Sequence, residues 1–163
     1  MNPASYDQNL KLVGTFASVE SFWRLYSHVV RASELGSYSD LHLFRDGIKP
    51  MWEDEANRLG GKWIVRLKKG LANRCWENLI LAILGQQFMV GDEICGAVVS
   101  IRVHEDILSV WNRTANDAGT TTRIRDTLKR VLNLPLNTIM EYKTHNDSLR
   151  DHSSFRNTDL FKH

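Results

Sequence analysis

The chain has 163 residues, 42% of them hydrophobic and 25% charged, which is enough to bury a core and ordinary for a soluble domain. Its 21 basic side chains exceed its 19 acidic ones by two, and a net charge of +2 is too small to argue for bulk electrostatic binding to long nucleic acid; any such contact should be local and built from a few placed side chains. The start MNPASYDQNL has no apolar signal core, no window approaches a membrane span, and Cys75 and Cys95 lie in apolar settings without metal-ligand spacing. A soluble, intracellular protein with buried thiols, no metal and no cofactor is expected.

In chain order, residues 18–31 repeat apolar side chains at helical spacing behind Ser18, whose hydroxyl suits a helix N-cap. Phe22, Tyr26, Val29 and Val30 are predicted to face inward, with Val19 and Trp23 one turn apart at the edge of that face. Residues 40–47 alternate and end in Asp46-Gly47, so they read as a strand and turn. A loop, DGIKPMWEDEANRLGG, spans 46–61, and residues 62–70 alternate again as a second strand. Residues 74–89 carry the strongest helical pattern. Residues 94–103 and 107–113 read as a hairpin turning at His104-Glu105-Asp106. A third helix, 120–132, begins at a threonine cap, buries Ile124, Leu128 and Val131, and is stopped by Pro135. A last strand covers 138–145. Residues 1–150 are expected to form a single domain and 151–163 a polar, flexible tail. Strands joined by hairpins without a βαβ rhythm make the class α+β, an antiparallel sheet with helices on one face.

The five tryptophans separate by context. Trp63, Trp76 and Trp111 fall inside predicted elements, where a large aromatic is most often core. Trp52 instead sits in the loop, directly before Glu53-Asp54-Glu55. It is either a plug that anchors the loop or a platform with an acceptor beside it. A purine stacked on an indole gains about 1–3 kcal/mol. A carboxylate accepts both N–H donors of a guanine edge at once, and a cationic, methylated guanine adds a cation–π gain. Phosphates on such a ligand call for basic partners: Lys62 after the Gly-Gly turn, and Arg102 and His104 two residues apart on a strand. Each of these is equally well read as a solvated strand residue. Glu53, Asp54, Glu55 and His104 contain acid–base groups, but no nucleophile pair, metal spacing or phosphate-cradling glycine loop accompanies them, so no enzyme is expected.

The stretches VESFWRLYSH, GIKPMWEDEANRLGGKW, CWENLILAILGQQF and EICGAVVSIR followed by VWN together resemble the translation initiation factor 4E family of mRNA cap-binding proteins. Within it they look like the class called 4E-homologous protein, or the novel cap-binding protein of plants. The likeness runs in consistent order over roughly residues 5–150. It implies a curved antiparallel sheet with three α-helices on its convex face, and a 7-methylguanosine cap held between two rings on the concave face. By motif, Trp52 would be one ring, Tyr6 the other, and Glu53 the guanine-edge acceptor. Lys62 and Arg102 match positions that hold cap phosphates, Arg150 is a further candidate, and His104 stands where the main branch often has lysine. Trp23, with Val19 and Leu81, matches a convex surface that docks helical peptides of the pattern Tyr-x-x-x-x-Leu-hydrophobic. Asn78 stands where the main branch is acidic. The class more often represses translation; a factor that promotes initiation, or a cap-independent interaction module, remains open. A cytoplasmic monomer binding capped mRNA is implied. Family members carry a His-Pro-Leu element and a Trp-rich strand ahead of the point where this chain begins, so an uncovered sheet edge is expected.

Overall fold

A computed structural model describes residues 3–161. Six strands, β1 (Asp40–Phe44), β2 (Gly61–Leu67), β3 (Ile94–Ile101), β4 (Asp106–Asn112), β5 (Met140–Thr144) and β6 (Asp159–Phe161), form one curved, open antiparallel sheet in the order β1-β3-β4-β2-β5-β6. Successive side chains on a strand point to opposite faces, and the sequence uses that rule throughout. Trp63, Val65 and Leu67 of β2, Ala97 and Val99 of β3, Leu108 and Val110 of β4, and Met140 and Tyr142 of β5 join the main core. Their neighbours Lys62, Val98, Ser109, Trp111 and Lys143 look the other way.

Three helices cover the convex face, as expected: α2 (Val19–Tyr26), α3 (Ala72–Leu84) and α4 (Ala118–Leu132). Phe22, Cys75, Trp76, Leu79, Ile80, Ile124, Leu128 and Leu132 pack from them into that core. Ser18 caps α2 as predicted, its hydroxyl accepting from the Ser21 amide at 3.1 Å. The helix ends at Tyr26 rather than running to 31. The Ser27 hydroxyl and His28 Nδ1 both reach the Arg24 carbonyl, at 3.2 and 2.7 Å, and compete for the acceptor that a further helical turn would use. Val30 is accordingly exposed. Helix α3 stops at Gly85 rather than at 89, with Gln86 and Met89 in left-handed backbone conformations just beyond it. The cap of α4 is Asp117, one turn ahead of the expected threonine; its carboxylate accepts from the Thr120 amide at 3.1 Å.

Two short helices went unforeseen, α1 (Pro3–Asn9) and α5 (His145–Asp151), each of seven residues. Both belong to the concave side. Residues 151–161, expected to belong to a flexible tail, are pinned to the sheet. The buried Lys143 ammonium donates to the Asp151 carboxylate at 2.7 Å, to the Ser153 carbonyl at 2.8 Å and to the Arg156 carbonyl. Arg66 donates to the Phe155 carbonyl at 2.9 Å, and β6 then pairs with β5. A polar composition concealed this because the anchors are backbone carbonyls. Among the described residues no helix is long and apolar enough to cross a membrane.

Candidate functional site

The concave face carries a cavity of about 300 Å³. Its floor is the outward side of three neighbouring strands: Asp40 and His42 from β1, Val98 and Ser100 from β3, and Ser109 and Trp111 from β4. Lys62 of β2 closes one side. The rim comes from three separate segments: Tyr6 on α1, Pro50 to Glu53 in the long loop, and His152, Ser154 and Phe155 beyond α5.

The loop that presents Trp52 is held by buried polar side chains rather than by regular structure. Asn57 is fully buried, and its amide nitrogen donates to the carbonyls of Lys49 at 3.0 Å and Met51 at 2.7 Å. Asp54 accepts from the Lys49 amide at 3.0 Å and from the Ala56 amide at 3.0 Å, so this acid is a turn cap. The loop closes where Gly60 and Gly61 enter β2. A Cβ at Gly61 would sit 2.6 Å from the Tyr142 hydroxyl, and one at Gly60 would strike the Asn112 carbonyl. Trp52 itself is half-buried and packs on Cys95, Val98 and Trp111 with one part of its ring system left for the cavity. The plug and the platform are therefore one arrangement. Glu53 lines the cavity and is exposed; among the described residues no hydrogen bond or ion pair engages its carboxylate.

Tyr6 reaches the cavity from α1, and its hydroxyl lies 3.4 Å from His42 Nε2. Burial, reinforced by the negative charge of Asp40, pushes the phenol up to about 12, so the ring is a neutral donor. Burial also lowers the His42 value. The helix is tied to the loop by an ion pair between Asp7 and Lys49 at 3.1 Å.

The cations are already engaged. Lys62 is 1% exposed; its ammonium donates to the Ser154 hydroxyl at 2.5 Å and lies 4.6, 5.3 and 5.9 Å from the rings of Phe155, Trp111 and Trp52. Burial, with the facing Lys143 charge, pulls it down to about 7. Arg102 donates from Nη1 to Asp40 at 2.9 Å and to the Ile101 carbonyl at 2.9 Å. Beneath the floor His145 is fully buried, 4.3 Å from Trp111 between centroids, with neither ring nitrogen hydrogen-bonded. Burial, then the Lys62 charge, brings it down to about 3, so it is a neutral ring at any ordinary pH.

Of the residues singled out from the sequence, Tyr6, Trp52, Glu53, Lys62 and Arg102 all line this cavity. His104 and Arg150 do not. Strand β3 ends at Ile101, so His104 lies in the exposed turn 102–105 and the alternation that paired it with Arg102 does not reach it. Arg150 is on the open side of α5, where its nearest acid is Asp147 at 3.8 Å. Sequence reasoning missed Asp40, His42, Trp111, Ser154 and Phe155. The alternation of DLHLF held a signal for the first two, since it places Asp40, His42 and Phe44 on one face.

On the opposite side Trp23 is 44% exposed and Val19 69%, with Leu81 also exposed. The Trp23 ring is braced edge-on by Phe22 and Tyr26, at 5.1 and 5.9 Å. Asn78 and Leu81 line a second, more open hollow with Arg130 and Val131. Among the described residues no group of three His, Cys, Asp or Glu side chains is placed to hold a metal ion.

A sequence profile of the family described as Eukaryotic initiation factor 4E matches residues 2–160. Translation initiation factor 4E-4 of Caenorhabditis elegans is 56% identical over 157 residues, covering 96% of this chain and 74% of its own. Translation initiation factor NCBP of Oryza sativa subsp. japonica is 53% identical over 154 residues, 94% of this chain and 68% of its own. Among solved structures, C. elegans eIF4E-3 in complex with the 4E-binding protein Mextli and cap analog superposes with a TM-score of 0.87 at 42% identity, over 92% of this chain and 87% of that one. Ascaris suum eIF4E-3 with m2,2,7G cap gives 0.86 at 37% identity, over 99% and 90%. By profile, by identity and by fold, the chain belongs to the eukaryotic initiation factor 4E family.

Proposed function

We propose that the protein binds the 7-methylguanosine cap of mRNA in the concave cavity and regulates translation initiation, by repression, through partners on its convex face. The observation that carries the reading is the convergence of Tyr6 and Trp52, from two separate segments, on one cavity rim beside an unengaged Glu53 carboxylate. The base stacks between the two rings, its cationic five-membered ring adding a cation–π gain, and Glu53 accepts from its Watson–Crick edge. Lys62 and Arg102 take the phosphates; His104 and Arg150 have no part in the site. Related structures contain cap ligands, which supports the same occupant here. Binding alone accounts for the role given to each of these residues.

The convex face, with Trp23, Val19 and Leu81, docks helical Tyr-x-x-x-x-Leu-hydrophobic peptides. Asn78 offers no charge at the edge of that surface, which favours repressor peptides over those that need an acidic partner there. The protein acts as a cytoplasmic monomer, holding the cap without recruiting the initiation scaffold. Tryptophan fluorescence should be quenched by a 7-methylguanosine nucleotide and not by its unmethylated counterpart, and Trp52→Ala should abolish the response. Equal quenching by both nucleotides would refute the reading.

A further inference from the structure

We propose that Asp40 is a specificity-determining residue of the cavity: its carboxylate holds Nη1 of Arg102, sets a negative charge beside the place of a ligand's phosphate, and so sets how strongly phosphate number counts in binding. The inference rests on the cavity being a nucleotide site as proposed above.

Asp40 opens β1 opposite Ser100, and Arg102 follows the end of β3, so the sheet register itself brings the two side chains together. Their contact is 2.9 Å, and both side chains are about one quarter exposed. The same Arg102 nitrogen also meets the Ile101 carbonyl at 2.9 Å, which fixes the guanidinium in place. No second carboxylate with this role lines the cavity among the described residues, because Glu53 is not paired with any cation. The charge of Asp40 is felt across the site: it raises the proton affinity of Tyr6, His42 and Lys62.

A carboxylate is the wrong group to find in a phosphate site unless it has a purpose there. It attracts a cationic base and repels phosphate oxygens. Because Asp40 takes Nη1 of Arg102, a phosphate must bind the remaining guanidinium donors beside an anion already in place. Each added phosphate then gains little, and the base dominates selection.

The test titrates tryptophan fluorescence with 7-methylguanosine mono-, di- and triphosphate. In the wild type the triphosphate should bind only a few-fold more tightly than the monophosphate. Asp40→Asn keeps the shape and an acceptor for Arg102 but removes the charge, and should widen that ratio by about tenfold, the scale of one charge-assisted hydrogen bond. In an Arg102→Gln background the same change should widen the ratio much less, by the direct repulsion alone. A cooperative thermal unfolding transition like that of the wild type reports that each variant is folded. An Asp40→Asn change that moves all three nucleotides by one factor, or narrows the ratio, overturns the proposal for Asp40 alone. Absence of any methyl-dependent quench in the wild type would instead overturn the nucleotide reading beneath it.

Discussion

The ammonium of Lys62 lies 4.6 Å from the centroid of the Phe155 ring, sealed from solvent by a segment that follows it by roughly ninety residues. A phosphate can reach that cation only if Ser154 and Phe155 move aside. The cover also alters the lysine's chemistry, because a buried charge facing Lys143 is disfavoured and its value falls to about 7.

The sign of the pH effect differs for folding and for binding. The folded chain holds fewer protons on Lys62 than the unfolded chain between pH 7 and the ordinary value of 10.5. Lys62 therefore destabilises the fold most below pH 7, and the penalty is relieved as pH rises through that window. A phosphate needs the charged form, so triphosphate affinity should fall as pH rises from 7 to 9. Lys62→Arg stays charged and should flatten this part of the profile. Titrations at several pH values in both proteins check it; identical slopes would show that Lys62 does not meet the ligand.

Acid sensitivity should be concentrated in His145. Its folded value of about 3 lies below the ordinary 6.5, so stability is intact above pH 6.5 and drains away as pH falls toward 3. The slope is at most about 1.4 kcal/mol per pH unit. His42, lowered in the same direction, adds to it. Replacing His145 by Phe, a ring of similar size with no proton to take up, should flatten thermal-stability curves between pH 6.5 and 5. A variant that loses stability with acid as steeply as the wild type would count against this assignment.

Tyr6 should contribute through its face more than its hydroxyl. Tyr6→Ala removes one stacking surface and should weaken methylated-nucleotide binding by about 1–3 kcal/mol. Tyr6→Phe loses only the long contact to His42 and should cost less than about 1 kcal/mol. Fluorescence titration of the two variants separates the terms. Equal losses would mean that the hydroxyl, not the ring, matters.

The two faces should respond independently. Trp23→Ala should weaken a helical Tyr-x-x-x-x-Leu peptide by roughly 2 kcal/mol or more, as a half-exposed anchor does, and leave nucleotide affinity unchanged. Calorimetry with each ligand reads both. A parallel loss of nucleotide binding would show that the sheet couples them.

Alternation made the sheet and the division of its faces legible in the sequence, down to Lys62 and Trp63 pointing opposite ways. The helices were legible in place but not in length, because Ser27, His28 and Asp117 act through local hydrogen bonds that hydrophobic spacing does not register. Trp111 falls inside a strand pattern that implies core and is buried, yet it forms cavity floor; burial alone does not say which face of a sheet a ring serves. Phe155 was out of reach altogether. Its position depends on Lys143 finding carbonyls in a stretch that has no apolar pattern of its own.

The ion pair between Asp7 and Lys49 joins the helix that brings one aromatic wall to the loop that brings the other. Both partners are solvent-exposed, and such pairs contribute little and are screened by salt. The floor below is a hydrogen-bonded sheet that owes nothing to this pair. Ionic strength should therefore act on how the two aromatic walls are held together and leave the base of the cleft as it is.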